Sequence, residues 1–245
     1  MRNPYLLLWL EAPLQSWGFD SRFGRRDTMT FPTRSGIMGL ICSALGAGGE
    51  QRELLSEFSL LGQIVLSFVR RKKTESDIER IDREPKLCDF QMVGSGYDDR
   101  DPWENLHVPK TADGKKPAMV SGAKMTYRYY LQDAAFSVVL EVPAERLESI
   151  VQALQYPVWD IYLGRKNCVP TDFIYRGTFQ EEAEAIYRAK EIALEKNRME
   201  EFRVIHIESD TALDEDEVFT LNDVPIQFGA EKKYRDRRVR LIYAS

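Results

Sequence analysis

The stretch Phe31-Pro32-Thr33-Arg34-Ser35-Gly36-Ile37-Met38-Gly39-Leu40-Ile41 decides how the first part of the chain folds, because it has the composition of a helix start. Proline tolerates the approach to a helix but not its interior, and hydroxyl side chains cap exposed backbone amides. Glycines let another backbone or a ligand come close. Helix N-termini of this kind bind anions, and the arginine of the stretch adds a planar cation. The stretch therefore predicts a helix whose N-terminus faces a phosphate.

The connection between a predicted buried strand at Tyr5–Glu11 and this helix is rich in side chains that suit single-stranded RNA. Arginines bind phosphates, an aromatic ring can stack under a base, and a side-chain amide can read a base edge. The same sequence is also compatible with an ordinary helix start, a buried tryptophan and a solvated arginine loop. The RNA-binding residues that we expect in this region are Gln15, Trp17, Arg22, Arg25, Arg26, Thr33, Arg34 and Ser35.

Six separate motifs follow one another along the chain: Tyr5-Leu6-Leu7-Leu8, Pro13-Leu14-Gln15-Ser16-Trp17-Gly18, Phe31-Pro32-Thr33-Arg34-Ser35-Gly36, Tyr127-Arg128-Tyr129-Tyr130-Leu131, Asp133-Ala134-Ala135-Phe136-Ser137-Val138 and Tyr162-Leu163-Gly164-Arg165-Lys166-Asn167-Cys168. In order and spacing these motifs resemble the CasD family of CRISPR-associated proteins. The likeness is firm to about Thr171 and looser in the central insertion and the last third. Members of this family bind the 5′ handle of the guide RNA (crRNA) in the type I-E Cascade complex and are noncatalytic, so the resemblance implies the same role here.

The composition is that of a folded protein with a sizeable core, since 43% of the 245 residues are apolar. The apolar run Tyr5–Leu10 is too short for a membrane helix or a secretory signal, so we expect a cytoplasmic protein without a membrane partner. The three cysteines have no metal-type or disulfide-framework spacing, and there are only two histidines. We therefore expect neither a metal nor a cofactor.

The net charge of -5 at first argues against a nucleic-acid partner. However, the acidic residues are segregated: Thr178 to Asp223 holds 14 acidic and 5 basic residues, which leaves +4 on the rest. Because RNA affinity depends on cations near the phosphates, a positive face with an acidic appendage can still bind RNA. The acidic segment is also compatible with plain solvated surface. Near the C-terminus six cations between Lys232 and Arg240 form either a second RNA-facing strip or an edge strand protected by charge.

The predicted order of elements is β, α, β, a long insertion, β, α, β, which is that of an α+β, ferredoxin-like (RRM-like) domain. We assign it to residues 1–177, and a smaller C-terminal α+β lobe, opened by a helix over Glu181–Phe202, to residues 178–245. The insertion at about 72–126 is too long for a turn and too apolar for full disorder, which favours an extended hairpin that becomes ordered on a partner. An ordinary surface hairpin is the alternative.

The resemblance implies that this insertion is a thumb hairpin that packs against the neighbouring backbone subunit of the CasC type. It also implies a flank that holds a large subunit of the CasA type, which inspects target DNA near the complex. In the thumb, Met92, Trp103 and Leu106 are the expected partner contacts.

The turn Gly164-Arg165-Lys166-Asn167 follows the predicted second helix and combines small backbone with cations. Such a turn can bind phosphate at a sheet edge, so Arg165 and Lys166 are predicted RNA contacts, with a simple basic turn as the alternative. Lys124 is expected to bind RNA as well.

Cleavage of RNA without a metal would require a base for the 2′-hydroxyl and an acid for the leaving oxygen. Relatives in another subtype process guide RNA with a Tyr, Lys and His set, so Tyr127, Lys124 and His107 are a conceivable counterpart. No compact motif supports this set, and we expect no catalytic residue. A metal-independent endoribonuclease that processes repeat RNA is the alternative function.

Overall fold

The structure is a computed structural model that describes residues 2–18, 21, 24–74, 78–93, 100, 124–207 and 217–244. In chain order its elements are β1 (Tyr5–Glu11), β2 (Leu14–Gln15), β3 (Trp17–Gly18), β4 (Arg25–Arg26), β5 (Thr28–Met29), α1 (Arg34–Leu45), α2 (Arg52–Phe58), β6 (Gln63–Lys73), β7 (Ile78–Arg80), β8 (Leu87–Val93), β9 (Lys124–Gln132), β10 (Ala135–Glu141), a 3-10 turn (Ala144–Arg146), α3 (Leu147–Gln155), β11 (Tyr175–Phe179), α4 (Glu182–Glu195), β12 (Arg198–His206), β13 (Glu217–Gln227) and β14 (Lys233–Tyr243).

The chain is an α+β protein built on one antiparallel sheet of eight strands in the order β11-β1-β10-β6-β12-β14-β13, with β7 paired to β6. Strand β12 pairs with β6 from Arg198 opposite Arg70 to Val204 opposite Val65. The C-terminal strands therefore extend the same sheet as the N-terminal ones, and β11 crosses the boundary predicted at residue 177. The division into 1–177 and 178–245 stays a prediction from the sequence.

Both faces of this sheet are covered, which explains why strand β1 is apolar without alternation. Leu6, Leu8 and Leu10 belong to the core beneath α1, α2 and α3. Leu7 and Trp9 point the other way and pack with buried alanines of α4. A strand whose successive side chains point to opposite faces needs apolar residues throughout when both faces are buried.

Helix α1 begins at the predicted cap and ends at a glycine. The Thr33 side chain accepts a hydrogen bond from the Gly36 N–H at 3.2 Å. At the other end Gly46 adopts a left-handed conformation with φ of 68°, and its N–H donates to the Ser43 carbonyl at 3.2 Å. A glycine in this conformation ends a helix without steric cost, which explains why α1 stops at Leu45.

The helix predicted over Glu181–Phe202 is wrong in its last turns, because α4 ends at Glu195. Asn197 turns the chain with φ of 56°, a conformation that asparagine tolerates better than most residues. Strand β12 follows at once, and Phe202 is buried from that strand. The apolar residues at the end of the predicted helix therefore belong to a strand.

The described part of the predicted insertion contains an antiparallel pair of strands. Strands β8 and β9 pair from Leu87 opposite Tyr130 to Val93 opposite Lys124. Strand β9 also pairs with β2 and β4, which connects this ladder to the N-terminal connection. Met92 lies on β8 and is exposed, whereas Trp103, Leu106 and His107 lie outside the described residues.

Candidate nucleic-acid interface

A cleft of about 600 Å³ lies where the N-terminal connection, α1, the turn around residue 164 and the β13–β14 hairpin meet. Its cationic side chains come from three separate segments: Arg26, Arg165 and Lys232. The lining of the cleft also includes a carboxylate, that of Asp27. The predicted RNA-binding residues that line the cleft are Trp17, Arg26, Thr33, Ser35 and Arg165.

The turn at residue 164 can border this cleft because it lies directly against the backbone of the N-terminal connection. Gly164 has a φ of 100°, and a Cβ atom there would lie 1.6 Å from the Ser16 carbonyl oxygen. The Ser16 N–H donates to the Leu163 carbonyl at 3.1 Å. This close approach requires glycine, since any side chain would push the two segments apart.

Arg165 is held at the cleft by two backbone carbonyls and an aromatic ring. Its guanidinium donates to the carbonyl oxygens of Tyr129 at 3.1 Å and Arg26 at 2.8 Å. It also lies over the Tyr130 ring, 4.6 Å from the ring centroid. These contacts fix the orientation of the half-buried side chain. Among the described residues no carboxylate pairs with it, so this fixed cation can attract an anion. Lys166 is exposed beside it and does not line the cleft.

Asp27 does not cancel the positive charge of the cleft, because other cations outside the lining share it. Its carboxylate lies 3.5 Å from the Lys86 ammonium and 3.6 Å from the Arg25 guanidinium. Burial raises the pKa of Asp27, but the Thr28 N–H hydrogen bond and Lys86 outweigh it, so the pKa lies below its usual value. Arg25, predicted to bind RNA, lies over the Tyr129 ring at 4.9 Å and is largely exposed.

The predicted roles of Gln15 and Trp17 as direct RNA contacts need correction. Gln15 is fully buried, and its Nε2 donates to the carbonyls of Leu10 at 3.1 Å and Ala134 at 2.6 Å. Its Oε1 accepts from the Trp17 Nε1 at 3.1 Å. Both polar ends are occupied, so this side chain is not available to read a base. Trp17 is 1% exposed, which leaves no ring face for a base.

Arg34 needs the same correction, because the anion at the start of α1 comes from the protein itself. The Arg34 N–H donates to the Asp223 carboxylate at 2.7 Å, and its guanidinium donates to the Phe58 carbonyl. Arg237 pairs with the same carboxylate at 2.7 and 2.9 Å. Burial lowers the pKa of Arg34 to about 10, and the charge of Arg237 acts in the same direction. Arg34 is therefore a buried structural residue.

The remaining predicted residues are placed as follows. Thr33 is buried as the cap of α1, and its Oγ1 lies 3.3 Å from the Oγ of the half-buried Ser35. Arg22 lies outside the described residues, and of Lys124 the structure describes only the backbone at the start of β9. Tyr127 lies on β9 with its ring 5.1 Å from that of Phe90.

The sheet face on which RNA-recognition modules stack bases is occupied in this chain. Trp9 on β1 and Phe68 on β6 stack with ring centroids 5.3 Å apart, and both are buried in the core that includes α4. The sequence predicted this helix but not its position. This sheet face is therefore not available to stack bases.

Sequence reasoning left open whether the C-terminal cations face RNA, and it did not place any of them beside α1. Phe228, Lys232 and Tyr234 border the cleft from the β13–β14 hairpin, and small residues of α1 line it as well. The run of cations from Lys232 onward was visible in the sequence, but no local pattern indicates that its first member lies near α1. Tyr162 also lines the cleft, and its hydroxyl donates a hydrogen bond to the Asp160 carboxylate at 3.2 Å.

The described parts of the chain hold no cluster of three or more His, Cys, Asp or Glu side chains arranged for a metal ion. Nor does any helix there have both the length and the apolar character needed to cross a bilayer.

The model of the family described as CRISPR-associated protein (Cas_Cas5) matches residues 5–240, and the chain belongs to this family. Among its relatives is the CRISPR system Cascade subunit CasD of Escherichia coli (strain K12), which is 31% identical over 179 residues, or 72% of this chain and 71% of the relative.

Two solved structures share the fold. A chain of a structure titled CRISPR RNA-guided surveillance complex superposes with a TM-score of 0.69 and 27% identity, covering 98% of this chain and 90% of the other. A second, titled Crystal structure of Cas protein, gives a TM-score of 0.57 and 26% identity over 98% and 94% of the two chains.

Proposed function

We propose that this chain is the noncatalytic subunit that holds the 5′ handle of the guide RNA in a type I-E Cascade surveillance complex for antiviral defence. The observation that carries the proposal is the cleft in which Arg26, Arg165 and Lys232 converge in a protein of net charge -5. Localised cations attract a phosphate backbone whatever the overall charge. Membership of the Cas5 family and the likeness to CasD support the choice of guide RNA over other polyanions.

The strand order supports a ferredoxin-like core within the larger sheet. The first four strands are ordered β11-β1-β10-β6, with α1 and α2 joining β1 to β6 and α3 joining β10 to β11. This is the split β-α-β arrangement of ferredoxin-like and RNA-recognition domains. We propose that β8 and β9 form the base of a thumb hairpin.

We further propose that this thumb contacts a backbone subunit of the CasC type and that another flank holds a large subunit of the CasA type near target DNA. The partner-facing side of the thumb would include Met92, which is 59% exposed and pairs opposite Met125, itself 55% exposed. Adjacent exposed methionines are adaptable contact residues at protein interfaces.

The noncatalytic part of the proposal is tested with unprocessed repeat RNA. We expect no cleavage when the purified chain is incubated with repeat RNA in the presence of a metal chelator. Defined cleavage that is lost in Tyr127→Phe would instead establish the endoribonuclease.

The RNA-binding part is tested with a double variant, Arg26→Ala with Arg165→Ala. Fluorescence anisotropy of the full chain with labelled handle RNA should show an affinity loss of at least about tenfold, since one charge-assisted hydrogen bond contributes about 1.5–3 kcal/mol. The slope of log affinity against log salt should fall by about 1.4, which corresponds to two lost single-strand phosphate contacts.

The matched control removes two cations away from the cleft, Arg52 on α2 and Arg188 on α4, both of which pair with glutamates. This variant should bind handle RNA as the wild type does. Equal losses in the two double variants would show that binding follows total charge rather than the cleft. Equal affinities of the wild type for handle and scrambled RNA would refute handle recognition.

A further inference from the structure

The side of α1 that lines the cleft consists mainly of small residues. Ser35, Gly39 and Ser43 follow one another at a spacing of four residues, which places them on one face of the helix. Gly36 lies beside them on the first turn. The opposite face of α1 carries the buried apolar residues of the core.

The two glycines of this face differ in what their neighbours require. A Cβ atom at Gly36 would lie 2.8 Å from the Trp17 ring, so the packing of Trp17 accounts for that glycine. A Cβ atom at Gly39 would meet no described atom within 4 Å. The backbone does not require glycine there either, because Gly39 lies within a regular helix and is not among the glycines with positive φ.

Gly39 therefore weakens α1 without any compensating contact inside the described protein. Glycine in a helix interior is unfavourable relative to alanine because it loses more backbone freedom on folding. The open space beside it belongs to the cleft that Arg26, Arg165 and Lys232 surround. No carboxylate in the described part of the chain forms an ion pair with these three cations, so the space is bordered by charge that an external anion can use.

We propose that Gly39 provides clearance for one nucleotide of single-stranded RNA, which lies against α1 and directs its phosphate toward the three cations. This inference rests on the proposed function and adds the element of the cleft that admits the strand. The cleft volume of about 600 Å³ falls within the range of about 300–1,000 Å³ typical of small-ligand sites. Tyr162 and Tyr234 line the same space and offer ring surface for the base.

The test uses Gly39→Ala and Gly39→Leu in the full chain, because these two variants separate helix stability from clearance. Gly39→Ala should raise the Tm by about 2–4 °C through helix propensity. Gly39→Leu should keep the Tm at or above that of the wild type, while its affinity for labelled handle RNA falls at least about tenfold, as expected when a bulky group fills a binding site. The matched control is Ala183→Leu on the exposed side of α4, which should leave RNA affinity unchanged.

Three results would overturn the inference: wild-type affinity in Gly39→Leu, a fall of its Tm below that of the wild type, or unchanged RNA affinity with loss of co-purifying protein subunits. The last result would assign the clearance to a protein partner. If the wild type itself does not prefer handle RNA, the proposed function fails. If it does and Gly39→Leu binds equally well, only the role of Gly39 fails.

Discussion

Replacement of Asp223 by alanine should destabilise the protein strongly, because this carboxylate joins the start of α1 to strand β14. It accepts from the Arg34 N–H at 2.7 Å and from two nitrogens of Arg237 at 2.7 and 2.9 Å. The side chains of the ion pair are only 4% and 7% exposed. Asp223→Ala would leave the Arg237 guanidinium buried without its partner and remove the acceptor for a helix N–H.

The size of the effect follows from these contacts. Removing one partner of a buried ion pair costs about 3–5 kcal/mol, because the other charge remains desolvated. For a protein of this size, each kcal/mol corresponds to about 2–4 °C in Tm, so we expect a fall of about 6–20 °C. The Tm of Asp223→Asn should lie between those of the wild type and Asp223→Ala, since an amide oxygen can still accept a hydrogen bond from the Arg34 N–H.

Thermal unfolding followed by circular dichroism at neutral pH measures this effect. The matched control is Asp236→Ala, which removes an exposed carboxylate from the residue that precedes Arg237 on the same strand. A surface substitution of this kind changes stability by no more than about 0.5 kcal/mol. A change of about 0.5 kcal/mol shifts the Tm of a protein of this size by no more than about 2 °C. If the Tm of Asp223→Ala lies within about 2 °C of that of the control, the buried network does not hold α1 in place.

Other variants test other contacts. Gly164→Ala should lower stability by about 2–6 kcal/mol, measured by urea unfolding, since its Cβ would overlap the Ser16 carbonyl and strain the backbone. Gln15→Leu should reduce Tm by leaving buried carbonyls unpaired, yet the fraction that stays folded should bind handle RNA normally. Burial raises the pKa of Glu11, but hydrogen bonds from three neighbours, Arg198 among them, outweigh it and leave the pKa below its usual 4.5. The stability that this carboxylate contributes is therefore present above about pH 4.5 and is lost as the pH falls below that. The Tm difference between the wild type and Arg198→Met should accordingly narrow in acid. A Tm difference that stays constant with pH would contradict this assignment.

Local patterns in the sequence were enough to predict strand β1 and helix α1. The apolar run from Tyr5, the cap at Thr33 and the stop at Gly46 are each decided by neighbours within a few residues. The end of α4 could not be predicted from local patterns, because the apolar positions Met199 and Phe202 fit a helical period as well as a strand. The left-handed turn at Asn197 separates the two possibilities, and it depends on the pairing of β12 with β6.

The site was predictable only at the level of regions. Arg26, Ser35 and Arg165 do lie along one cleft, as residues from a single RNA-binding connection and turn would. The orientation of Gln15 could not be read from the sequence, since its amide donates to the Ala134 carbonyl, 119 residues away. The guanidinium of Arg34 donates to the Phe58 carbonyl, and its backbone N–H donates to Asp223, 189 residues away. The segment that contains Asp223 is strongly acidic and gave no sign that one of its carboxylates is buried.

The dependence of α1 on Asp223 and of the cleft on Tyr234 also constrains when the protein becomes functional during synthesis. The ribosome makes the arginine connection and α1 first, whereas the carboxylate that completes the helix start lies 189 residues after Arg34, and the hairpin residues that border the cleft follow it. A nascent chain therefore has the cations at Arg26 and Arg165 before it has a cleft to place them in. Under the proposed function, capture of the guide at this cleft therefore has to follow synthesis of the hairpin.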